Sequence, residues 1–554
     1  MELLDRYDVV IAGGGLAGLC LAIQLEQRVA GIRILVAEKN DHPFPEAAHK
    51  VGESSVEMAS HYFTDVLGLG DILATETPKF GLRFFLSHDG NRDIAARPEC
   101  GPSHFLYVPS FQIDRGRFEN ALARKARASG VDFVDGCRVK GAALGGGDED
   151  HIVSLTRSSG SFDLRCRWLV DATGRPGLLK KELGLARPNR HDVNAAWFRI
   201  DHAIDIDDWS DDPSWTSRLE EPRRLSTNHL MGEGYWVWLI PLVNDRTSVG
   251  IVTDARLHSF SGLNTFEKAL AWLDEHEPQC ATVVRSHADK RMDFLALRDY
   301  SHDVKQLFSR DRWCLTGDAG AFIDPFYSPG SDFIAIANGF ICDLVARDAR
   351  GEEVGAIAEI HDQTFRSLVR TYLVTYHRQY PIMGNARVMS IKIVWDFVMY
   401  WGGIAPLFFR DRFQDPIFME RVRPVLLGFA SMNIEMQAFF REWAREDRAA
   451  EPGAGAFVDY AEIRFLAELN RNLLREYDDD SLIDQLARNL HLAGELQREI
   501  RAETSRTTAD ASKGAADVPT AHLKDVFAAL GPARPGGALP EVPSTDAGVK
   551  RTPR

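Results

Sequence analysis

Three glycines constrain this chain more than anything else in it. Gly13, Gly15 and Gly18 follow directly on the apolar run Val9-Val10-Ile11-Ala12 and open a helix-patterned stretch from Leu16 to Arg28. The first glycine permits a tight turn off a strand, the second lets backbone approach a pyrophosphate, and the third lets helix and strand pack closely. The leading amides of the helix then face the phosphates. A second strand is predicted around Ile32 to Glu38. Glu38 stands about 20 residues beyond the glycine turn, where an acid accepts the hydroxyls of an adenosine ribose, and Lys39 lies beside it. Strand, turn, helix and strand in this order open a parallel sheet with helices on its faces. The fold class is therefore α/β, with a Rossmann-like module that binds a dinucleotide.

Two later segments favour FAD over NAD. Asp171-Ala172-Thr173-Gly174 ends the strand-like run Trp168-Leu169-Val170, and Gly317-Asp318-Ala319 follows Trp313-Cys314-Leu315-Thr316. Either aspartate alone reads equally well as a turn residue. The second segment resembles the Gly-Asp element of flavin monooxygenases, which implies that Asp318 accepts hydrogen bonds from the ribityl chain. Asp114-Arg115, ahead of a helix expected to begin near Phe118, resembles their Asp-Arg element. Gly145-Gly146-Gly147 runs into acidic residues and reads as a hairpin turn. No second glycine unit follows a strand, so reduced flavin is expected from a separate flavin reductase, the alternative being NAD(P)H that binds only transiently.

Composition sets the outer limits. A net charge of −15 disfavours nucleic acid, which needs a basic face. Seven scattered cysteines without C-x-x-C spacing read as reduced thiols in a cytoplasmic protein, and the 17 histidines show no metal spacing. The stretch from Ile391 to Phe409 is apolar but interrupted by Lys392, Asp396, Gly402, Gly403 and Pro406. A central aspartate is costly in lipid, so a buried helix and turn are expected there rather than a membrane span. The predicted division is an FAD module over 1–345 with an interleaved β-rich substrate subdomain (80–110 and 190–300) and a helical domain over 346–503. A disordered tail over 504–554 is expected to carry a short helix at 521–530, where Leu523, Val526, Phe527 and Leu530 take helical spacing.

Four further motifs narrow the chemistry. They are Trp236-Val237-Trp238-Leu239-Ile240-Pro241, Phe322-x-x-Pro325-x-x-Ser328-x-Gly330, Lys79 in Thr77-Pro78-Lys79-Phe80-Gly81, and Lys50-Val51-Gly52-Glu53-Ser54-Ser55. Through them residues 5–345 resemble the flavin-dependent halogenases, a GR2-type flavin monooxygenase fold. The resemblance implies that reduced FAD and oxygen form a C4a-hydroperoxide, that chloride or bromide attacks it, and that the resulting hypohalous acid travels to Lys79. Trp236 and Trp238 would stand beside the flavin and keep organic substrate from it. The Ser328 loop would face the flavin ring and offer backbone amides to halide. Pro329 has no N–H to give, which leaves Gly330. Tyr327 stands where halogenases of free tryptophan carry a glutamate. The implied substrate is thus an electron-rich aromatic of secondary metabolism, either a phenol, a pyrrole or an aryl group on an acyl carrier protein. A halide-independent FAD monooxygenase or an oxidase/desaturase is the alternative, and Pro329 is its support.

Overall fold

A computed structural model describes residues 3–45, 50–447, 452–508 and 523–530. Seven strands form the sheet that carries the glycine turn. Six of them run in the spatial order Asp132–Val134, Ile34–Ala37, Arg6–Ala12, Gly160–Asp171, His151–Arg157 and Arg138–Ala143. The seventh, Trp313–Leu315, also pairs with Gly160–Asp171. The long strand Gly160–Asp171 organises the sheet. Its first half pairs antiparallel with His151–Arg157, while its end runs parallel to both Arg6–Ala12 and Trp313–Leu315. Ala12 lies opposite Asp171 and Asp171 opposite Leu315, so the three turns that follow leave the sheet at one edge. The predicted helix is present over Leu16–Arg28; the helix expected near Phe118 begins three residues sooner, at Arg115. Gly145, Gly146 and Gly147 lie in the hairpin between Arg138–Ala143 and His151–Arg157.

A second sheet of eight strands lies over the first module, in the order Leu295–Leu297, Val193–Ile200, Arg246–Asp254, Tyr235–Leu242, Thr227–Gly232, Leu82–Phe85, Glu99–Gly101 and Phe457–Asp459. Tyr235–Leu242 is central, and its period of two sorts its side chains. Trp236, Trp238 and Ile240 face the core shared with the nucleotide module. Tyr235, Val237 and Leu239 face a separate core under the helices Phe266–His276 and Pro278–Ser286. Trp238 lies across from Gly250, where a Cβ would come within 2.0 Å of the indole.

The C-terminal half is mostly helical, but it does not begin or stay where composition suggested. Helix Gly330–Ala349 runs through the expected boundary at 345, because its first turn belongs to the flavin loop and its body packs on Leu16–Arg28. Strand Phe457–Asp459 crosses back to extend the second sheet. The stretch Ala386–Phe408 is long and apolar enough to cross a membrane, yet 83% of its most apolar window is buried in the protein. Its interrupting charges are paired there, Lys392 donating to Asp396. Helix Lys524–Ala529 folds back onto the body with Leu523, Val526 and Leu530 buried, and the Leu523 amide donates to Glu499 Oε2 at 3.2 Å. The expected tail residues 509–522 and 531–554 lie outside the described residues.

Candidate active site

At the converging sheet edge the three glycines do different work. Gly13 has φ +113°, and a Cβ there would lie 2.3 Å from the Ala172 carbonyl oxygen. A Cβ on Gly18 would lie 2.1 Å from the Gly13 carbonyl oxygen. Protein packing therefore dictates both. A Cβ on Gly15 would meet only Glu119 Oε2, at 4.0 Å, so the protein leaves open space there for a ligand. Gly15 lines a cavity of about 410 Å³ together with Glu38, Lys39, Arg115, Gly317 and Asp318.

Glu38 Oε2 accepts from the Gly14 amide at 2.8 Å, which pins the turn against the second strand. Arg115 is held by Glu119, at 2.6 Å, and by the Val51 carbonyl. Asp171, expected among the cofactor ligands, is not brought to the cavity. Its carboxylate is fully buried and accepts from Thr173 Oγ1 (2.6 Å), the Thr173 amide (3.0 Å) and the Leu179 amide (2.8 Å). Its lone pairs shape the turn that presents Ala172 to Arg175. Trp197 also lines the cavity, and its buried indole N–H has no hydrogen-bond partner among the described residues. A glycine cradle, an acid at the end of the second strand, Asp318 and a buried unpaired donor together fit FAD.

Trp236, Trp238 and Ile240 form one wall of this cavity. Trp236 Nε1 donates to the Tyr380 hydroxyl at 3.0 Å, and Tyr380 donates to Asp324 Oδ2 at 2.8 Å. His191 Nε2 meets the same oxygen at 2.6 Å. Asp324 belongs to the Phe322–Gly330 loop, so this buried network locks the tryptophan wall to the loop facing it. His229 lies in the wall as well; burial pushes its imidazole down to about 3, which keeps it neutral.

Within the loop, Tyr327 and Ser328 are successive non-glycine residues at φ +66° and +60°, a conformation costing roughly 1–3 kcal/mol each. A backbone bond from the Ser328 amide to the Pro325 carbonyl, at 2.9 Å, and two side-chain bonds hold it. The Tyr327 hydroxyl donates to Asp396 Oδ2 at 2.9 Å, and Ser328 Oγ donates to Ser54 Oγ at 3.0 Å. Ser328 and Gly330 face the flavin cavity at the N-terminus of helix Gly330–Ala349, whose leading amides have no intrahelical acceptor. Pro329, expected beside the halide, instead contributes its ring to a second cavity of about 80 Å³.

Lys79 lies at the junction of the two. It is buried, and its ammonium donates to Ser54 Oγ at 2.8 Å and to the Ser55 carbonyl at 2.6 Å. The hydrogen-bonded series Lys79, Ser54, Ser328 thus runs from the second cavity to the flavin cavity. Burial pushes the Lys79 amine down to about 7 against the pull of Glu57 and Asp332. Glu57 and Asp332 line the second cavity with Lys79, and neither stood out in the sequence. Glu57 lies just beyond the Lys50–Ser55 motif and opens the short helix Glu57–His61, a position that could have marked it as a cap. Asp332 sits in the first turn of helix Gly330–Ala349.

The fold and cradle define a flavoprotein, and comparison with known proteins makes the class specific. Residues 6–331 match the FAD binding domain family, more than half of the chain, and the chain belongs to that family. FAD is its cofactor, and the protein is an FAD-dependent oxidoreductase. Its relatives are flavin-dependent halogenases, the kinship its motifs pointed to. The flavin-dependent halogenase chlA of Dictyostelium discoideum is 24% identical over 459 residues, which is 76% of this chain and 73% of that protein. A chlorinase of 1H-pyrrole-2-carbonyl on a peptidyl-carrier protein, from Pseudomonas fluorescens, is 27% identical over 61% of this chain and 76% of its own. Among solved structures, a variant of the halogenase PltM in complex with FAD shares the fold, with a TM-score of 0.62 at 17% identity over 91% of this chain and 98% of that one.

Proposed function

We propose that this protein halogenates an electron-rich aromatic compound, a phenol, a pyrrole or a carrier-bound aryl group, with chloride or bromide as the halogen source. The observation that carries this reading is Lys79, buried between two cavities and joined to the flavin side through Ser54 and Ser328. Reduced FAD, when bound, would supply two electrons that bring dioxygen to the peroxide level, and that oxygen is the oxidant that takes two electrons from the halide. The chain's own residues do the rest. Trp236, Trp238 and Ile240 close the flavin cavity to organic substrate. The Gly330 amide, at the positive end of a 20-residue helix, attracts the anion. Lys79 holds the oxidised halogen by hydrogen bonding and presents it to the second cavity, whose aromatic walls suit a planar ring.

The relatives that act on pyrrole bound to a carrier protein support a carrier-bound substrate here. A separate flavin reductase would supply FADH2. Seven buried, unpaired cysteines accord with the reducing cytoplasm. The test combines the protein with FAD, a flavin reductase, NADH and bromide over a panel of phenols and pyrroles, with products read by mass spectrometry. A bromine isotope doublet that disappears in Lys79→Ala supports the proposal. Oxygenated or dehydrogenated products indifferent to bromide would transfer the case to a halide-independent monooxygenase or oxidase/desaturase, which Pro329 favours by removing one amide from the anion site.

A further inference from the structure

The second cavity holds more than a lysine and aromatic walls. Two carboxylates, Glu57 and Asp332, reach it from different elements, and both are more than nine-tenths buried. Asp332 is oriented from two sides, accepting from the Ala59 amide at 2.9 Å and from the Tyr400 hydroxyl at 2.9 Å. Glu57 accepts a long hydrogen bond from Asn470 Nδ2 at 3.3 Å, and its own backbone amide and the Trp401 side chain also favour its charged form. Tyr372, Tyr400 and Phe397 stand around them. Burying two carboxylates in one cavity is expensive, and among the described lining residues Lys79 is one cation for the two. Burial is the main cause that pushes both carboxyls upward, Asp332 to about 8 with the charge of Glu57 adding to it, while Lys79 pulls both down. With Lys79 already the cation among the lining residues, the carboxylate oxygens that reach this cavity match a neutral ligand that donates a hydrogen bond.

We propose that Glu57 and Asp332 form an acceptor pair that binds the hydroxyl or ring N–H of the aromatic substrate and takes its proton as the ring captures the halogen. The proposal rests on the halogenase reading above. For a phenol, the ring carbon attacks the halogen of hypohalous acid held by Lys79, forming C–X and breaking X–O. The departing hydroxide takes a proton from Lys79 and leaves as water. The phenolic proton passes to the carboxylate pair, leaving a halogenated dienone. The ring C–H proton then returns to Lys79 and the carboxyl proton to oxygen, which restores the enzyme and releases the halophenol.

The experiment uses phloroglucinol and 1,3,5-trimethoxybenzene, two electron-rich rings of which only the first donates hydrogen bonds. Turnover of each is measured with the full-length protein, FAD, a flavin reductase, NADH and bromide, with methionine present to consume oxidised bromide that escapes. Binding of each ring is measured separately by tryptophan fluorescence, since Trp401 lines the cavity. The wild type should prefer phloroglucinol, and Glu57→Gln and Asp332→Asn should each lower the preference in kcat/KM about 10- to 100-fold, the worth of a hydrogen bond to a charged group. Equal loss on both rings, an unchanged preference in the variants, or no preference in the wild type would overturn the proposal. Monochlorodimedone in place of the rings reports oxidised bromide. Its absence would sink the halogenase reading instead, and the binding preference alone would then decide the role of the pair.

Discussion

Replacing Lys79 with methionine tests whether this lysine is kept for chemistry at a cost in stability. Its amine falls from the usual 10.5 to about 7, with burial the main cause. At roughly 1.4 kcal/mol for each tenfold change in proton affinity, the fold bears about 4–5 kcal/mol for holding this group at pH 7. Methionine fills similar volume without that cost, but it leaves the Ser55 carbonyl and Ser54 Oγ short of a donor, at about 1–3 kcal/mol in all. Lys79→Met should therefore be more stable than wild type by about 1–4 kcal/mol at pH 7 while losing halogenation. Because the folded-state affinity lies below the unfolded one, the unfolded chain alone carries this proton between about pH 7 and 10. Wild-type stability then rises with pH in that window relative to the variant, by up to about 1.4 kcal/mol per pH unit, and the variant's advantage shrinks. Below pH 7 the difference should be flat. Denaturant unfolding of both proteins at pH 6 to 10 reads it. A variant less stable than wild type at pH 7, or a difference independent of pH, would refute the account of Lys79 as a buried, destabilising amine.

Other positions give independent checks. Gly15→Ala should change stability by no more than about 1 kcal/mol but weaken FAD binding in a fluorescence titration, because the protein leaves open the space its Cβ would enter, beside the cofactor cavity. Gly18→Ala, by contrast, should cost upwards of about 2 kcal/mol in denaturant unfolding, since its Cβ would collide with the Gly13 carbonyl. Tyr327→Phe removes the hydrogen bond to Asp396 that holds a left-handed loop. It should cost about 1–3 kcal/mol and lower product formation with flavin affinity intact; unchanged turnover would mean the loop holds its shape without Asp396. Pro329→Ser restores a backbone N–H ahead of Gly330 and should lower the KM for bromide, whereas an unchanged KM would place the anion elsewhere.

Much of the fold was legible because it depends on local rules. The glycine turn, the helix Leu16–Arg28 and the common face of Trp236, Trp238 and Ile240 follow from backbone geometry and the period of two along a strand. Residue type misled where side-chain lone pairs had other uses. Asp171 looked like a ligand, yet its own turn consumes it, and no pattern along the chain reveals where an aspartate's hydrogen bonds go. The Trp236–Tyr380–Asp324–His191 network joins residues far apart in sequence, so no motif could contain it.

The amino-acid order by itself determined the cofactor class and the parallel part of the nucleotide sheet, and it singled out Lys79 as a candidate, because each rests on short-range spacing that chemistry leaves few ways to satisfy. The tertiary structure alone decided that Lys79 meets Ser54 and Ser328, that Pro329 turns to the second cavity, and that Glu57 and Asp332 share it. Those relations arise where helix Gly330–Ala349 and the apolar stretch Ala386–Phe408 pack against the flavin module. Burial at that meeting point, and not residue identity, sets the charge each group carries.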